Sequence, residues 1–333
     1  MSKRRKRLRH RHPIIKVLKI FGLALLGLLL FLLVTALFPL STGDLKSHPD
    51  PAGTYEEATR RIQAITDEEN GRVCDVCGTR FYTHGSKTPK VVVLVHGLTN
   101  SPRQFEELGQ QLFNDGYNVL IPRMPYHGLK THTVSELGNT TPEDLSRFAD
   151  DTADIATGLG DEVTVAGLSG GGTITGWITQ NRSDIDKTVL IAPLYGMSGV
   201  PPFANTMAGN LFARLPDFDF SSSSEPPRDS VYLGWSTRGV AEYLVLSRVS
   251  RPDGNNSPAG VRNITVVTNG NDHTVNNGMT QDVAAAWEST GAKITRYEFA
   301  QDLGLPHDYI DITAIGDKGV WIYPILKNLI ESS

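Results

Sequence analysis

The sequence predicts an α/β protein: a mostly parallel sheet with helices on both faces and a lid insertion, preceded by one transmembrane helix. Three observations predict it. From residue 90 onward, short β-branched runs alternate with helical stretches, the pattern that builds a parallel sheet covered on both sides. Residues 20–40 contain no charged side chain. Residues 193–262 separate two predicted strands by far more than the ~2–6 residues usual for such a connection, so they read as a lid.

The amino terminus carries nine lysines and arginines within its first 19 residues, before any acidic residue appears. The net charge of -4 therefore conceals a body with 23 basic against 36 acidic residues, about -13 in all. A body that acidic argues against nucleic acid as a partner. The uncharged stretch IFGLALLGLLLFLLVTALFPL follows, and at 1.5 Å per residue it crosses a hydrocarbon core of ~30 Å. By the positive-inside rule the basic segment, residues 1–19, stays cytoplasmic and the body lies on the extracytoplasmic side. A cleaved signal peptide has a shorter apolar region, ~7–15 residues, ending in a small-x-small site. Leu37-Phe38-Pro39-Leu40 fits such a site poorly, and the expectation is an uncleaved anchor at residues 20–40.

Residues 41–89 read as a linker and N-terminal extension. Pro, Gly, Ser and Asp dominate residues 41–53. Residues 54–69 place Tyr55, Ala58, Ile62 and Ile65 on one face of a short helix. The only cysteines, Cys74 and Cys77, stand in CDVC. Two thiols do not complete a four-ligand zinc site, and the surrounding sequence lacks the strand-to-helix context of a redox motif. Outside the cytoplasm a local disulfide is expected.

The α/β domain is expected at residues 90–333. VVVLV at residues 91–95 is a continuous apolar run, as in a strand buried on both faces. A helix follows over residues 102–114, with Pro near its first turn and Gly116 beyond its end. Further strands are expected at YNVLI, EVTVAG, KTVLIA, NITVVT and KITRYEF, and a capped helix start at Thr141-Pro142-Glu143-Asp144. Helices are expected over residues 170–180, 279–289 and 320–330. A serine run at residues 221–224 is the one low-complexity patch.

Gly167-Leu168-Ser169-Gly170-Gly171 is a G-x-S-x-G sequence between the strand VTVA and a helix. A strand-to-helix turn that tight needs small residues around the serine, whose hydroxyl is then exposed above the sheet. Together with VVVLVHGLTNSPRQFEELGQQLFNDGYNVLIPRMPYHG, this stretch resembles α/β-hydrolases, particularly bacterial carboxylesterases and monoacylglycerol-lipase-like enzymes. The resemblance covers roughly 240 of the 333 residues.

That resemblance implies a membrane-anchored serine hydrolase of carboxylic esters, lipid-like ones included, working through an acyl-enzyme. A serine hydroxyl needs a histidine base oriented by a carboxylate, and in this fold they follow in the order Ser, acid, His. The matching positions are Ser169; Asp272, after ITVVT and three residues before Val275; and His307, in GLPHDYID after ITRYEF. The oxyanion donors would be the amides of Gly170 and of Leu98 in the HG-x motif, with Thr99 as the near alternative to Leu98. Gly170 stands where relatives often have Met or Gln, which suggests a bare wall toward the substrate. His273, His96 and His127 are rival histidines, and Asp302 and Asp308 rival carboxylates. The lid aromatics, Trp235 among them, form an acyl pocket, the insertion's own packing, or both. No metal or organic cofactor is implied. The alternatives are thioester or amide cleavage on the same three groups, or a non-catalytic membrane-tethered module.

Overall fold

The computed structural model describes residues 13–43, 45–221, 230–252 and 257–332. The basic run at residues 3–11 and the serines after Ser221 lie outside the described residues. Helix α1 (Pro13–Leu37) contains an apolar span at Ile15–Leu37, 23 residues and so about 35 Å long. It starts earlier than the expected residue 20 and takes in Lys16 and Lys19. It stops at Leu37, because Pro39 disfavours helical geometry in the residue before it.

After α2 (Tyr55–Glu69) come β1 (Arg80–Tyr82), β2 (Thr88–Val95), α3 (Glu106–Asn114) and β3 (Asn118–Ile121). Then follow α4 (Val134–Leu137), α5 (Pro142–Leu159), β4 (Gly160–Leu168), α6 (Gly170–Asn181) and β5 (Lys187–Ile191). The expected helix at 102–114 divides into a 3-10 turn, Pro102–Phe105, and α3. Residues 193–262 hold α7 (Pro202–Phe212), the antiparallel pair β6 (Asp219–Ser221) and β7 (Gly234–Ser236), and α8 (Thr237–Val249). The chain closes with β8 (Asn263–Asn269), α9 (Asn277–Ser289), β9 (Lys293–Phe299), α10 (Ile312–Ile315) and α11 (Gly319–Glu331).

Seven strands form one sheet in the order β1-β3-β2-β4-β5-β8-β9, all parallel except β1, which runs antiparallel to β3. Val91 to Val95 are wholly buried between β3 and β4. Each such side chain is worth about 1.5–3 kcal/mol relative to exposure, so this run fixes the sheet's centre. Helices α5 and α6 pack together against β2 and β4, while α3, with α11 beside it, covers β1 and β3. The chain leaves β2 in one direction toward β3 and returns on the other side at β4. A crevice therefore opens at the carboxyl ends of β2 and β4, where open α/β sheets bind ligands.

The segment expected as a linker and extension is built into this domain. Thr54 caps α2 through the Glu57 amide, and α2 packs on α5. Upstream, the amides of His48 and Asp50 donate to Asp150 and Asp154 at 2.7 and 2.9 Å, the Ser47 hydroxyl joins Asp150, and Trp177 Nε1 donates to Leu45 O at 3.0 Å. The same two carboxylates meet Arg182, whose side chain is wholly buried, at 2.9 and 2.6 Å, and Asp184 completes the set at 2.6 Å. Burial opposes the Arg182 charge, but three carboxylates outweigh it and raise its pKa. Cys74 and Cys77 are joined by a disulfide, and the Cys74 amide donates to Gly128 O at 2.8 Å.

Arg182→Ala should lower the unfolding free energy by about 3–5 kcal/mol, the usual cost of leaving buried carboxylates uncompensated. Denaturant unfolding reads this directly, and limited proteolysis should then cut within residues 45–52. Unchanged stability and an intact segment would mean that this ion cluster does not hold the strap.

Candidate active site

Strand β4 ends at Leu168 and α6 begins at Gly170, leaving Ser169 alone to make the turn. Its backbone stands at φ 56° and ψ -116°, a conformation that strains a residue with a Cβ by about 1–3 kcal/mol. Bonds to β5 and the chain beyond it hold the strain: the Ser169 amide donates to Ile191 O at 2.9 Å, and Ser169 O accepts from Leu194 N at 3.1 Å. The turn also requires glycine on either side. A Cβ on Gly167 would lie 2.3 Å from Gly171 O, and one on Gly171 would lie 2.1 Å from Val95 O.

Asp272 follows β8, and its carboxylate is fixed on both oxygens. Oδ1 accepts from the amides of Thr274 and Val275 at 2.8 and 3.1 Å, and Oδ2 accepts from His307 Nδ1 at 2.7 Å. Burial works against the Asp272 charge, but these bonds outweigh it and hold its pKa below the ordinary carboxylate value. With Nδ1 donating, the neutral imidazole presents Nε2 as an acceptor. His307 Nε2 is buried and has no partner among the described residues.

The rival residues have other occupations. Asp302 is exposed on a 3-10 turn. Asp308 accepts from Asn100 Nδ2 at 3.0 Å and from the Asp311 amide at 3.1 Å. His273 lines the same cavity as Ser169, yet both oxygens of its neighbour Asp272 are already bonded elsewhere. His96 and His127 shape loops. His96 Nδ1 bonds Gly97 O at 2.9 Å and its Nε2 accepts from Met124 N at 3.1 Å. His127 stands between Leu98 O at 2.7 Å and Pro125 O at 2.8 Å. Burial pushes the His127 imidazole down to about 4, against the two carbonyl contacts.

Those two histidines fasten the loop after β2, together with Gln104, which accepts from the Gly97 amide at 2.7 Å. The Leu98 amide faces Gly170: a Cβ built on Gly170 would lie 3.2 Å from Leu98 N. Among the described residues, neither the Leu98 nor the Gly170 amide donates to another group. The same Cβ would lie 2.8 Å from Tyr243 Cε1, so the wall at Gly170 is not bare. A wholly buried tyrosine from α8 occupies the space a larger residue would take. Nothing near Gly170 in sequence signals that neighbour, 73 positions away.

A cavity of about 340 Å³ opens at these residues. Ser169 and His307 share its wall with Leu98, Leu194, Met197, Val200, Trp235 and Val240. Trp235 was identifiable as a lid aromatic. Leu194 and Val200, from the stretch after β5, carry no such signal in sequence.

A seven-stranded α/β sheet with a strained serine at its central crevice, in one cavity with a carboxylate-bound histidine, is the arrangement of a hydrolase. The model of the alpha/beta hydrolase family matches residues 92–313, and the chain belongs to that family. A thermostable monoacylglycerol lipase from a Bacillus strain is 30% identical over 176 residues, 51% of this chain and 64% of that protein. The chain thus matches less than two thirds of that relative's length. Among solved structures, a monoacylglycerol lipase from Paleococcus ferrophilus is similar at a TM-score of 0.55 and 19% identity, over 77% of this chain and 98% of that one. A soluble variant of monoglyceride lipase from Saccharomyces cerevisiae is similar at 0.51 and 16%, over 76% and 90%. At these identities the structures support the fold.

The glycines give a graded test of the turn. Gly171→Ala meets backbone that cannot yield, and little folded protein should accumulate. Gly170→Ala meets a tyrosine ring and should fold, as judged by circular dichroism, with reduced ester turnover. Adding Tyr243→Leu should then recover part of that loss. Equal tolerance of both alanines would contradict this account of the turn.

Proposed function

We propose that the chain is a membrane-anchored serine hydrolase that cleaves carboxylic esters, monoacylglycerol-like lipids foremost, through an acyl-enzyme. The observation that carries this reading is one cavity wall holding both Ser169, on its strained turn, and His307, whose far nitrogen is bonded to Asp272.

Ser169 Oγ attacks the ester carbonyl while His307 Nε2 takes its proton. Asp272 holds the ring in the required tautomer and stabilises the imidazolium that forms. The carbonyl oxygen becomes an oxyanion between the amides of Leu98 and Gly170, donors already in place and therefore effective without reorganisation. Collapse of the tetrahedral intermediate expels the alcohol, which takes the proton from His307. Water, deprotonated by His307, then attacks the acyl-enzyme and releases the acid and Ser169. The chemistry draws on side chains and backbone alone.

The aliphatic lining and Trp235 suit an acyl chain, and a volume of about 340 Å³ lies within the range of small-ligand pockets. The relatives named as monoacylglycerol lipases support the same substrate class. The apolar span of α1, preceded by basic residues, supports an anchor with the amino terminus in the cytoplasm and the hydrolase body on the opposite side. The disulfide between Cys74 and Cys77 is consistent with that side.

Ser169→Ala should abolish turnover of p-nitrophenyl esters and monoacylglycerols. His307→Ala should cost about as much, and the double variant hardly more, because nucleophile and base act as one unit. Asp272→Asn should lose on the order of 10⁴-fold through the wrong histidine tautomer. Near-wild-type turnover in Ser169→Ala would overturn the assignment. A silent Asp272→Asn would overturn the role of that carboxylate alone.

A further inference from the structure

Helix α7 of the lid packs on the last turns of α1. The face it covers is Leu32, Thr35 and Ala36, spaced as i, i+3, i+4, the positions withdrawn from solvent in an otherwise exposed helix. The last carbonyls of a helix lack intrahelical donors and carry the negative end of its dipole. In α1 the lid supplies both what those carbonyls need and a positive charge. Asn210 Nδ2 donates to Ala36 O at 2.7 Å. Arg214 Nη1 donates to Thr35 O and Phe38 O at 3.0 and 2.6 Å, and its Nη2 donates to Pro39 O at 3.2 Å. Asn210 is gripped in turn by Arg248 of α8, the helix that also brings Tyr243 against Gly170 and Val240 to the cavity wall.

Leu32, Thr35 and Ala36 belong to the apolar span, so whatever packs on them sits at the depth where that span ends. On the same lid, Phe203, Phe218 and Phe220 are 70%, 58% and 52% exposed. Phe220 stacks at 4.7 Å on Trp235, which lines the cavity. Exposed aromatic rings of this kind are stabilised by apolar surroundings.

We propose that α7 and the exposed rings of Phe218 and Phe220 at β6 are seated in the bilayer surface where α1 ends, latched there by Arg214 and Asn210. In that position the cavity takes its ester from the adjoining leaflet and not from water. The inference rests on α1 being a membrane anchor, and its test separates the two.

The full-length chain is reconstituted in phosphatidylcholine vesicles with a bimane label at Leu26→Cys or, separately, at Phe203→Cys. The label at 26 should be quenched by a nitroxide deep in the acyl chain. The label at 203 should be quenched by a shallow acyl nitroxide and shielded from aqueous iodide. If 26 is quenched while 203 is reached by iodide alone, the seated lid is overturned and the anchor stands. If 26 is not quenched, the anchor itself fails and the lid inference with it. As a functional arm, Arg214→Ala should lower turnover of vesicle-borne monoacylglycerol by about tenfold, the scale of a lost hydrogen bond to a charged group. A short water-soluble ester should be turned over as in the wild type. Equal losses on both substrates would overturn the latch by showing that Arg214 serves folding alone.

Discussion

The turn between β4 and α6 has room for one residue, and that residue must stand at a positive φ with glycine on both sides. The crowding comes from β2, whose carbonyl at Val95 lies where a side chain on Gly171 would go. Parallel pairing of β2 with β4 thus creates the strain, and the bonds from Ser169 to Ile191 and Leu194 keep it from relaxing. The same pairing places the loop after β2 beside the start of α6, so Leu98 N lies close to Gly170. Asp272 and His307 reach this crevice because β8 and β9 extend the sheet in parallel on the same side. A buried arrangement of this kind depends on sheet register more than on any single contact, since a slip would turn every side chain to the other face.

The features most legible in the sequence were those set by local sterics or by continuous burial. VVVLV can be little other than a central strand, and G-x-S-x-G is spaced by clashes within five residues. Thr141 and Asp144 announced the start of α5 and form the capping box there. Asp272 and His307 were legible only through chain order in a resembling family, because the 2.7 Å bond between them joins residues 35 positions apart. What stayed hidden depends on distant partners. The strap at residues 45–52 reads as a polar linker, since its amides and Ser47 find Asp150 and Asp154 a hundred positions away. Strand β1 has three half-buried residues and no alternation to reveal it. Gly170 looked like an open wall because Tyr243 arrives from α8, 73 positions away.

The amino-terminal region ties these parts together in an unexpected way. Arg182 and its carboxylates fix residues 45–52 to α5, and α7 holds the end of α1 directly. The chain on either side of that connection is thus held to the hydrolase body at two places. Helices α7 and α8, the cavity wall and the end of α1 are thereby joined by one set of contacts.

The central claim is that Ser169 is the nucleophile, and covalent trapping tests it most directly. Trypsin cutting after Arg147 and Arg182 releases residues 148–182, in which Ser169 is the only serine. After reaction with a fluorophosphonate, mass spectrometry should find one phosphonyl group on that peptide, with fragment ions placing it at Ser169. An adduct on another peptide, or none on folded protein that still turns over esters, would contradict the account.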